Sequence, residues 1–272
     1  MLIDTHAHLA DNSLYADLHN VIAKASKNDV KKIITIGCSF MEISTSRTIS
    51  KKYQNIYYSG GLYPLPDINE YKESDNNLTK HIKRYEKLLE SINDEIIGIG
   101  ECGLDFNTHS SFQYNLDRNS QIKLFSHQIE LALHYKKPLI IHSRNSTMDT
   151  IRILNNYKSK FKNEVVWHCF TDNNEIAIIL ADLGITISVN GIITYKNADD
   201  LRNSLIKYPL DKIILETDSP FLVPHTPRSM GIKINSPEYV KITAEKLAEI
   251  RNVPYEIIEN ATTRNAERIF NI

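Results

Sequence analysis

Four histidines and two carboxylates stand at the ends of short apolar runs scattered along this chain. These are side-chain types from which metal centres are built. His6 and His8 lie in Leu2-Ile3-Asp4-Thr5-His6-Ala7-His8, and Glu101 follows Ile96-Ile97-Gly98-Ile99-Gly100. His142 follows Leu139-Ile140-Ile141, His168 follows Val165-Val166-Trp167, and Asp218 follows Ile213-Ile214-Leu215-Glu216-Thr217. Imidazoles and carboxylates together suit hard or borderline divalent cations, and a shared carboxylate can hold two ions close to one metal-activated water. The set predicts a metal-dependent hydrolase.

The runs themselves must position these groups. Unbroken aliphatic and β-branched stretches suit parallel strands covered on both faces. Eight are counted: Leu2 to His6, Lys32 to Gly37, Ile56 to Gly61, Ile96 to Glu101, Leu139 to His142, Val165 to His168, Ile185 to Val189 and Ile213 to Thr217. Most spacings leave room for a helix. Ile122, Phe125, Ile129, Ala132 and Leu133 step as one apolar helix face, and a second helix runs from about Pro237 to Ile250 with Val240, Ala244, Leu247 and Ala248 inward. A last helix, Tyr255 to Phe270, buries Ile257, Ile258, Ala261 and Ile269 and closes the barrel. Strands alternating with helices predict a single α/β domain over residues 1–272, a TIM-type (β/α)8 barrel. Barrel enzymes carry their chemistry at the C-terminal ends of the strands, where all six candidate ligands are expected.

Taken singly, each ligand also has a structural reading. A lone His-x-His pair is as well explained by hydrogen bonds to nearby carbonyls, although residues two apart on a strand do share a face. Either His142 or His168 alone could be a satisfied core histidine, and Asp218 a salt-bridge partner. Glu101 sits among apolar residues and two glycines, where an uncompensated carboxylate is costly and calls for a cation. Glu216 has the same strand parity as Asp218 and is expected to support the site from behind the ligands. Cys102 and Cys169 each follow a candidate ligand and are assigned to packing on the opposite face. His19, His81, His109, His127, His134 and His225 are assigned to helices or the surface.

Composition narrows the setting. The 272 residues are 42% hydrophobic and 24% charged, enough for one large core. A net charge of −1 gives no overall signature of a nucleic-acid binder, so a nucleic-acid substrate must be gripped locally. Three cysteines, Cys38, Cys102 and Cys169, cannot all pair and suit a reducing compartment. No apolar run is long enough to span a membrane, and polar Asp4, His6 and His8 interrupt the place of a signal peptide, so a cytoplasmic location is expected. Asp67 to Asn77 is expected to be a surface loop, and nothing points to an obligate protein partner.

Seven stretches belong together: Ile3-Asp4-Thr5-His6-Ala7-His8-Leu9, Gly100-Glu101-Cys102-Gly103-Leu104-Asp105-Phe106, Pro138-Leu139-Ile140-Ile141-His142-Ser143-Arg144, Trp167-His168-Cys169-Phe170, the stretch Ser188 to Asn197, Leu215-Glu216-Thr217-Asp218-Ser219-Pro220 and the end, Ala261 to Phe270. In these, and so across nearly its whole length, the chain resembles the TatD-type metal-dependent deoxyribonucleases, a branch of the amidohydrolase superfamily. The resemblance implies that His6, His8, Glu101 and Asp218 surround one ion and Glu101, His142 and His168 a second, with Glu101 shared. It also implies phosphodiester hydrolysis supported by Mg2+, with Zn2+ or Mn2+ as other candidates, on DNA from its 3′ ends in exonuclease fashion. Asp218 would take the proton from the attacking water, while Arg144, Arg228 and Lys196 would contact phosphate. One departure concerns the substrate side: where the family shows Gly-x-His-Pro-His, this chain has Gly61-Leu62-Tyr63-Pro64-Leu65. Tyr63 would either donate to phosphate or simply pack. Two other readings remain: an ester or amide hydrolase, for example on aminoacyl-tRNA, and a metal-stabilised binding protein without turnover.

Overall fold

The computed structural model describes residues 1–65, 78–107, 116–161 and 164–272. Its strands are β1 Leu2–Ala7, β2 Val30–Gly37, β3 Ile56–Gly60, β4 Ile99–Asp105, β5 Leu139–Arg144, β6 Val165–Trp167, β7 Thr186–Val189 and β8 Ile213–Leu215. They form one eight-stranded sheet in the order β1-β2-β3-β4-β5-β6-β7-β8. The registered pairings are parallel, and Ala7 bridges Ser219 just beyond β8, also in parallel. A parallel return needs a crossover, and helices such as Leu18–Lys27, Phe40–Lys52, Leu78–Ile92 and Arg118–Tyr135 lie between successive strands. This is the (β/α)8 barrel that the alternation predicts.

By contacts the chain divides into two compact units, and the first comprises Met1–Thr35, Ile49–Tyr57 and Val166–Ile272. Here Leu2, Ile187, Val189, Ile213, Ile214 and Leu215 are almost wholly buried. The closing helix Tyr255–Phe270 packs on β1 and β8. Its grip is polar as well as apolar: Asn265 Nδ2 donates to the carbonyls of Leu210 and Ile213, both at 2.8 Å, and Thr263 Oγ1 donates to that of Met1 at 2.8 Å. The buried stripe is Ile258, Thr262, Asn265, Ala266 and Ile269, whereas Ala261 is half-buried. Ile257 was expected inside but is 48% exposed, because one residue back from Ile258 is a rotation of about 100° away from the sheet.

The second unit comprises Ile36–Thr48 and Tyr58–Val165. Within it the helix Arg118–Tyr135 packs on β4, and its inward face is shifted from the one the apolar pattern suggested. Gln121, Leu124, Phe125, Gln128, Ile129, Leu131 and Ala132 are buried, while Ile122 and Leu133 are half-buried. The two glutamines are the reason. Gln121 accepts from the Asp105 amide and donates to its carbonyl, both at 2.9 Å, and Gln128 does the same for Leu62 at 2.7 and 2.9 Å. Seven residues apart, they occupy one face of the helix and pin the backbone at Asp105 and next to Tyr63.

β4 begins three residues later than the sequence suggested and runs on to Asp105. The amides of Glu95 and Ile96 still bond back to the Ile92 carbonyl at the helix end, so the first isoleucines of the run lead into the strand rather than form it. Because β4 runs on to Asp105 and β5 to Arg144, Glu101 and His142 lie inside their strands rather than at the ends where they were expected. The expected loop Asp67 to Asn77, and His109, lie outside the described residues; the other five histidines assigned to helices or the surface all lie in helices.

Asn265→Ala removes the side-chain donor from the carbonyls of Leu210 and Ile213, the latter in a buried contact. We expect a loss of about 1–3 kcal/mol in denaturant unfolding, against at most about 0.5 kcal/mol for Ile257→Ala on the exposed side of the same helix. Equal losses for the two variants would remove Asn265 from its anchoring role.

Candidate metal centre

In the first unit, β1 delivers His6 and the turn after it His8, while the loop after β8 delivers Asp218. The backbone fixes their mutual placement: the Asp218 amide donates to the His6 carbonyl at 2.9 Å and the His8 amide to the Ser219 carbonyl at 2.7 Å. Asp218 Oδ1 then sits 3.3 Å from His8 Nε2 and 3.8 Å from His6 Nε2. Asp218 has a left-handed backbone, φ 56°, which turns its carboxylate out of the strand direction. His6 also stacks on His168, ring centroids 3.6 Å apart and planes 13° from parallel.

Behind this set, Glu216 is fully buried and carries four contacts. Its Oε2 lies 3.0 Å from His168 Nδ1 and accepts from Ser188 Oγ, while its Oε1 accepts from the Cys169 amide and Asn190 Nδ2, each at 3.0 Å. Burial pushes the Glu216 carboxyl up, but the electrostatic attraction and hydrogen bond of His168, with help from His6 and Ser188, more than offset it and hold the pKa at about 2. An anion at Nδ1 orients the His168 ring with Nε2 turned away from Glu216, the usual way an outer carboxylate supports a metal-binding imidazole. Glu216 faces His168 from the side where an outer carboxylate is expected, and it also forms a donor group with His6 and His168. Asp4, also fully buried, accepts from the Thr217 amide and hydroxyl at 2.9 and 2.6 Å; burial nevertheless pushes its pKa up to about 8.

The second unit holds Glu101 and His142. Gly100 and Gly103 of β4 have φ of 130° and 149°, and a Cβ there would lie 2.3 Å from the Ile140 carbonyl oxygen and 2.0 Å from that of His142. Only glycine lets β4 approach β5 so closely. Glu101 Oε1 thereby lies 2.8 Å from His142 Nδ1, and Cys38 Sγ donates to Glu101 Oε2 at 3.4 Å. The other ring nitrogen of His142 sits 3.2 Å from Asp105 Oδ2 and 3.0 Å from the Tyr63 hydroxyl. Burial raises the Asp105 carboxyl, yet its hydrogen bonds with His142 and the Asn107 amide bring it below the usual range. Burial, reinforced by Glu101 and Asp105, drives Tyr63 well above the usual tyrosine range, so it is a neutral phenol that donates to Asp105 at 3.3 Å. Tyr63 thus contacts both His142 and the carboxylate that faces it.

Sequence reading missed Asp105, although Glu101, Gly103 and Asp105 alternate along one face of β4, and that parity was the available signal. It also misplaced Cys169. β6 ends at Trp167, so strand alternation does not extend to Cys169, whose φ of 51° turns it into the donor group His168, Cys169 and Asp218. Cys102 is buried, as assigned. Of the residues expected at phosphate, Arg144 and Lys196 are exposed, and the exposed Arg228 stacks over the Tyr195 ring at 5.5 Å.

The donor chemistry fits a divalent ion. In His6, His8 and Asp218 the ligand atoms lie within 4.8 Å of one another, two imidazoles and one carboxylate, a set that transition and borderline metals accept with positions to spare for water or substrate.

A family model described as TatD related DNase matches residues 3–271. The chain is 34% identical over 272 residues to an uncharacterized metal-dependent hydrolase of Bacillus subtilis, YabD, covering 100% of both. It is 36% identical over 278 residues to one of Buchnera aphidicola subsp. Acyrthosiphon pisum, covering 100% of this chain and 99% of that one. The crystal structure of YJJV, a TatD homolog from Escherichia coli K12, superposes with a TM-score of 0.85 at 28% identity, covering 100% of this chain and 98% of the other.

Glu216→Gln keeps the shape of the side chain but removes the anion facing His168. A roughly 10- to 100-fold loss of metal affinity is expected in calorimetric titration, with the fold retained by circular dichroism. Unchanged affinity would detach Glu216 from the metal centre.

Proposed function

We propose that this chain, which belongs to the TatD-related DNase family and is a metal-dependent hydrolase, cleaves phosphodiester bonds of DNA, working inward from 3′ ends. The observation that carries the reading is the convergence of His6, His8 and Asp218, with ligand atoms within 4.8 Å of one another, in a chain of that family. His6, His8 and Asp218 would hold one divalent ion, and Glu101 and His142 would contribute to holding a second. Bound ions would supply Lewis acidity that offsets charge on phosphate oxygens and makes water a better nucleophile near neutral pH. The family resemblance favours Mg2+ in turnover, whereas imidazole-rich sets suit Zn2+ or Mn2+ better, so the metal is a variable of the assay.

The chain's own groups have separable tasks in this reading. Asp218, half-buried, would accept the proton of the attacking water and pass it to the leaving oxygen. Glu216 and Asp105 would keep the imidazoles of His168 and His142 aimed. Arg144, Lys196 and Arg228, all exposed, would meet phosphates along the strand, guanidinium forks being suited to that geometry. Tyr63 would act through His142 and Asp105, in place of the histidines common at this point in the family.

The test is purified protein, stripped and reloaded with single metals, incubated with end-labelled DNA and RNA and with a carboxyl ester. A ladder growing from the 3′ end of DNA is expected; turnover of the carboxyl ester alone would move the assignment to the ester and amide hydrolases. With metal saturating, Asp218→Asn should lower turnover by about 10²–10⁴-fold while DNA affinity falls much less. A variant turning over DNA near the wild-type rate would exclude Asp218 as the base. Because the resemblance makes Glu101 common to both ions, Glu101→Ala should reduce metal stoichiometry further than His168→Ala.

A further inference from the structure

Beside the His6, His8 and Asp218 set, the loop after β8 raises an aromatic ring into solvent. Phe221 is 53% exposed, although its amide is bonded to the Asp218 carbonyl at 2.9 Å and its ring stands edge-on to His8, centroids 5.7 Å apart and planes 70° apart. An exposed phenylalanine tied to a catalytic loop by its backbone and to a candidate metal ligand by its ring is not accounted for by packing. It also opens a cleft of about 540 Å³, whose walls include Tyr195, Phe221, Arg228, Ile232 and Lys233. The chemistry of this cleft is mixed in a particular way. Its lining mixes aromatic and aliphatic side chains with the cations Arg228 and Lys233, the Arg228 guanidinium lying over Tyr195. The Tyr195 hydroxyl donates to the Val223 carbonyl at 3.0 Å, which holds that ring, and so the guanidinium on it, against the Phe221 loop.

We propose that this cleft is the subsite for the terminal nucleotide of the substrate, with Phe221 as the platform on which its base stacks and Arg228 and Lys233 as the contacts to flanking phosphates. The inference rests on the nuclease reading and deepens it by naming what is recognised: a flat nucleobase next to the scissile phosphate, read by its face and not by its edge. Three features favour that ligand over an apolar peptide or a second copy of the chain. A π-face accepts any base, as a sequence-tolerant exonuclease requires. The two cations complement phosphates in a chain whose net charge is −1. The ring stands next to His8 and Asp218, the groups proposed to act on the phosphate.

The experiment compares two 5′-fluorescein single-stranded oligonucleotides, identical except that one ends in an ordinary 3′ nucleotide and the other in an abasic residue. Wild type, Phe221→Ala and Phe221→Trp are each loaded with Mg2+. Hydrolysis is followed by kcat/KM, and binding by anisotropy with phosphorothioate versions that resist cleavage. We expect Phe221→Ala to lose roughly 5- to 150-fold in affinity and in kcat/KM on the base-bearing end, with little change on the abasic end, and Phe221→Trp to retain the wild-type preference. Equal loss on both ends, or none on either, overturns the platform. A change in oligomeric state on gel filtration without a change in base preference assigns the cleft to a second copy and overturns it too. If wild type binds the base-bearing end better but hydrolyses no phosphodiester with any metal, the nuclease reading fails while the platform stands. Hydrolysis that is indifferent to Phe221 has the opposite meaning, and absence of both binding and hydrolysis overturns both.

Discussion

The Asp218 amide donates to the His6 carbonyl and the His8 amide to the Ser219 carbonyl, so the first strand and the loop after the eighth are stitched together by main chain. Thr217 adds its amide and hydroxyl to the buried carboxyl of Asp4 across the same seam. Residues more than two hundred positions apart become neighbours in this way, and the two imidazoles and one carboxylate inherit their spacing from backbone geometry. Flexible side-chain contacts would not hold them as well, because each rotamer fixed at the centre would have to be offset by the contact that fixes it. The closing helix, anchored through Asn265 and Thr263 to the carbonyls around β1 and β8, keeps that seam shut from outside.

Each unit repeats one electrostatic device. A histidine offered as a metal donor has its second nitrogen against a buried carboxylate, Glu216 for His168 and Asp105 for His142. In both cases burial alone would raise the carboxyl, and the imidazole together with other hydrogen bonds reverses the direction. Buried anions of this sort are costly unless fully bonded, and Glu216 is held by four partners. Tyr63 fits the same device in the second unit, a neutral phenol donating to Asp105 where the family carries histidine. The phenol at this position contacts both His142 Nε2, at 3.0 Å, and the carboxylate that faces it.

The loop after β8 does two jobs. Its left-handed residue Asp218 turns a carboxylate toward the imidazoles, and three residues on Phe221 turns an aromatic face outward. In the proposed reading the proton acceptor and the base platform share one short loop, so that loop would place substrate and acceptor together.

The sequence by itself determined the barrel and the parallel order, and it singled out the candidate donors. Strand count, helical periodicity and residue chemistry are local properties, and six metal-type side chains carried by five apolar runs leave few alternatives. Tertiary structure alone decided the rest. The onset of β4 depended on a helix end that still held Ile96, and the inward face of the helix Arg118–Tyr135 depended on two glutamines whose partners, Leu62 and Asp105, lie elsewhere in the chain. Whether Cys169 faced packing or donors depended on where β6 stopped and on one left-handed residue. Asp105 gained its meaning only when its carboxylate met a ring from the next strand. Hydrogen-bond partners distant in sequence leave no periodic trace, and for that reason the support of the site had to be found in space.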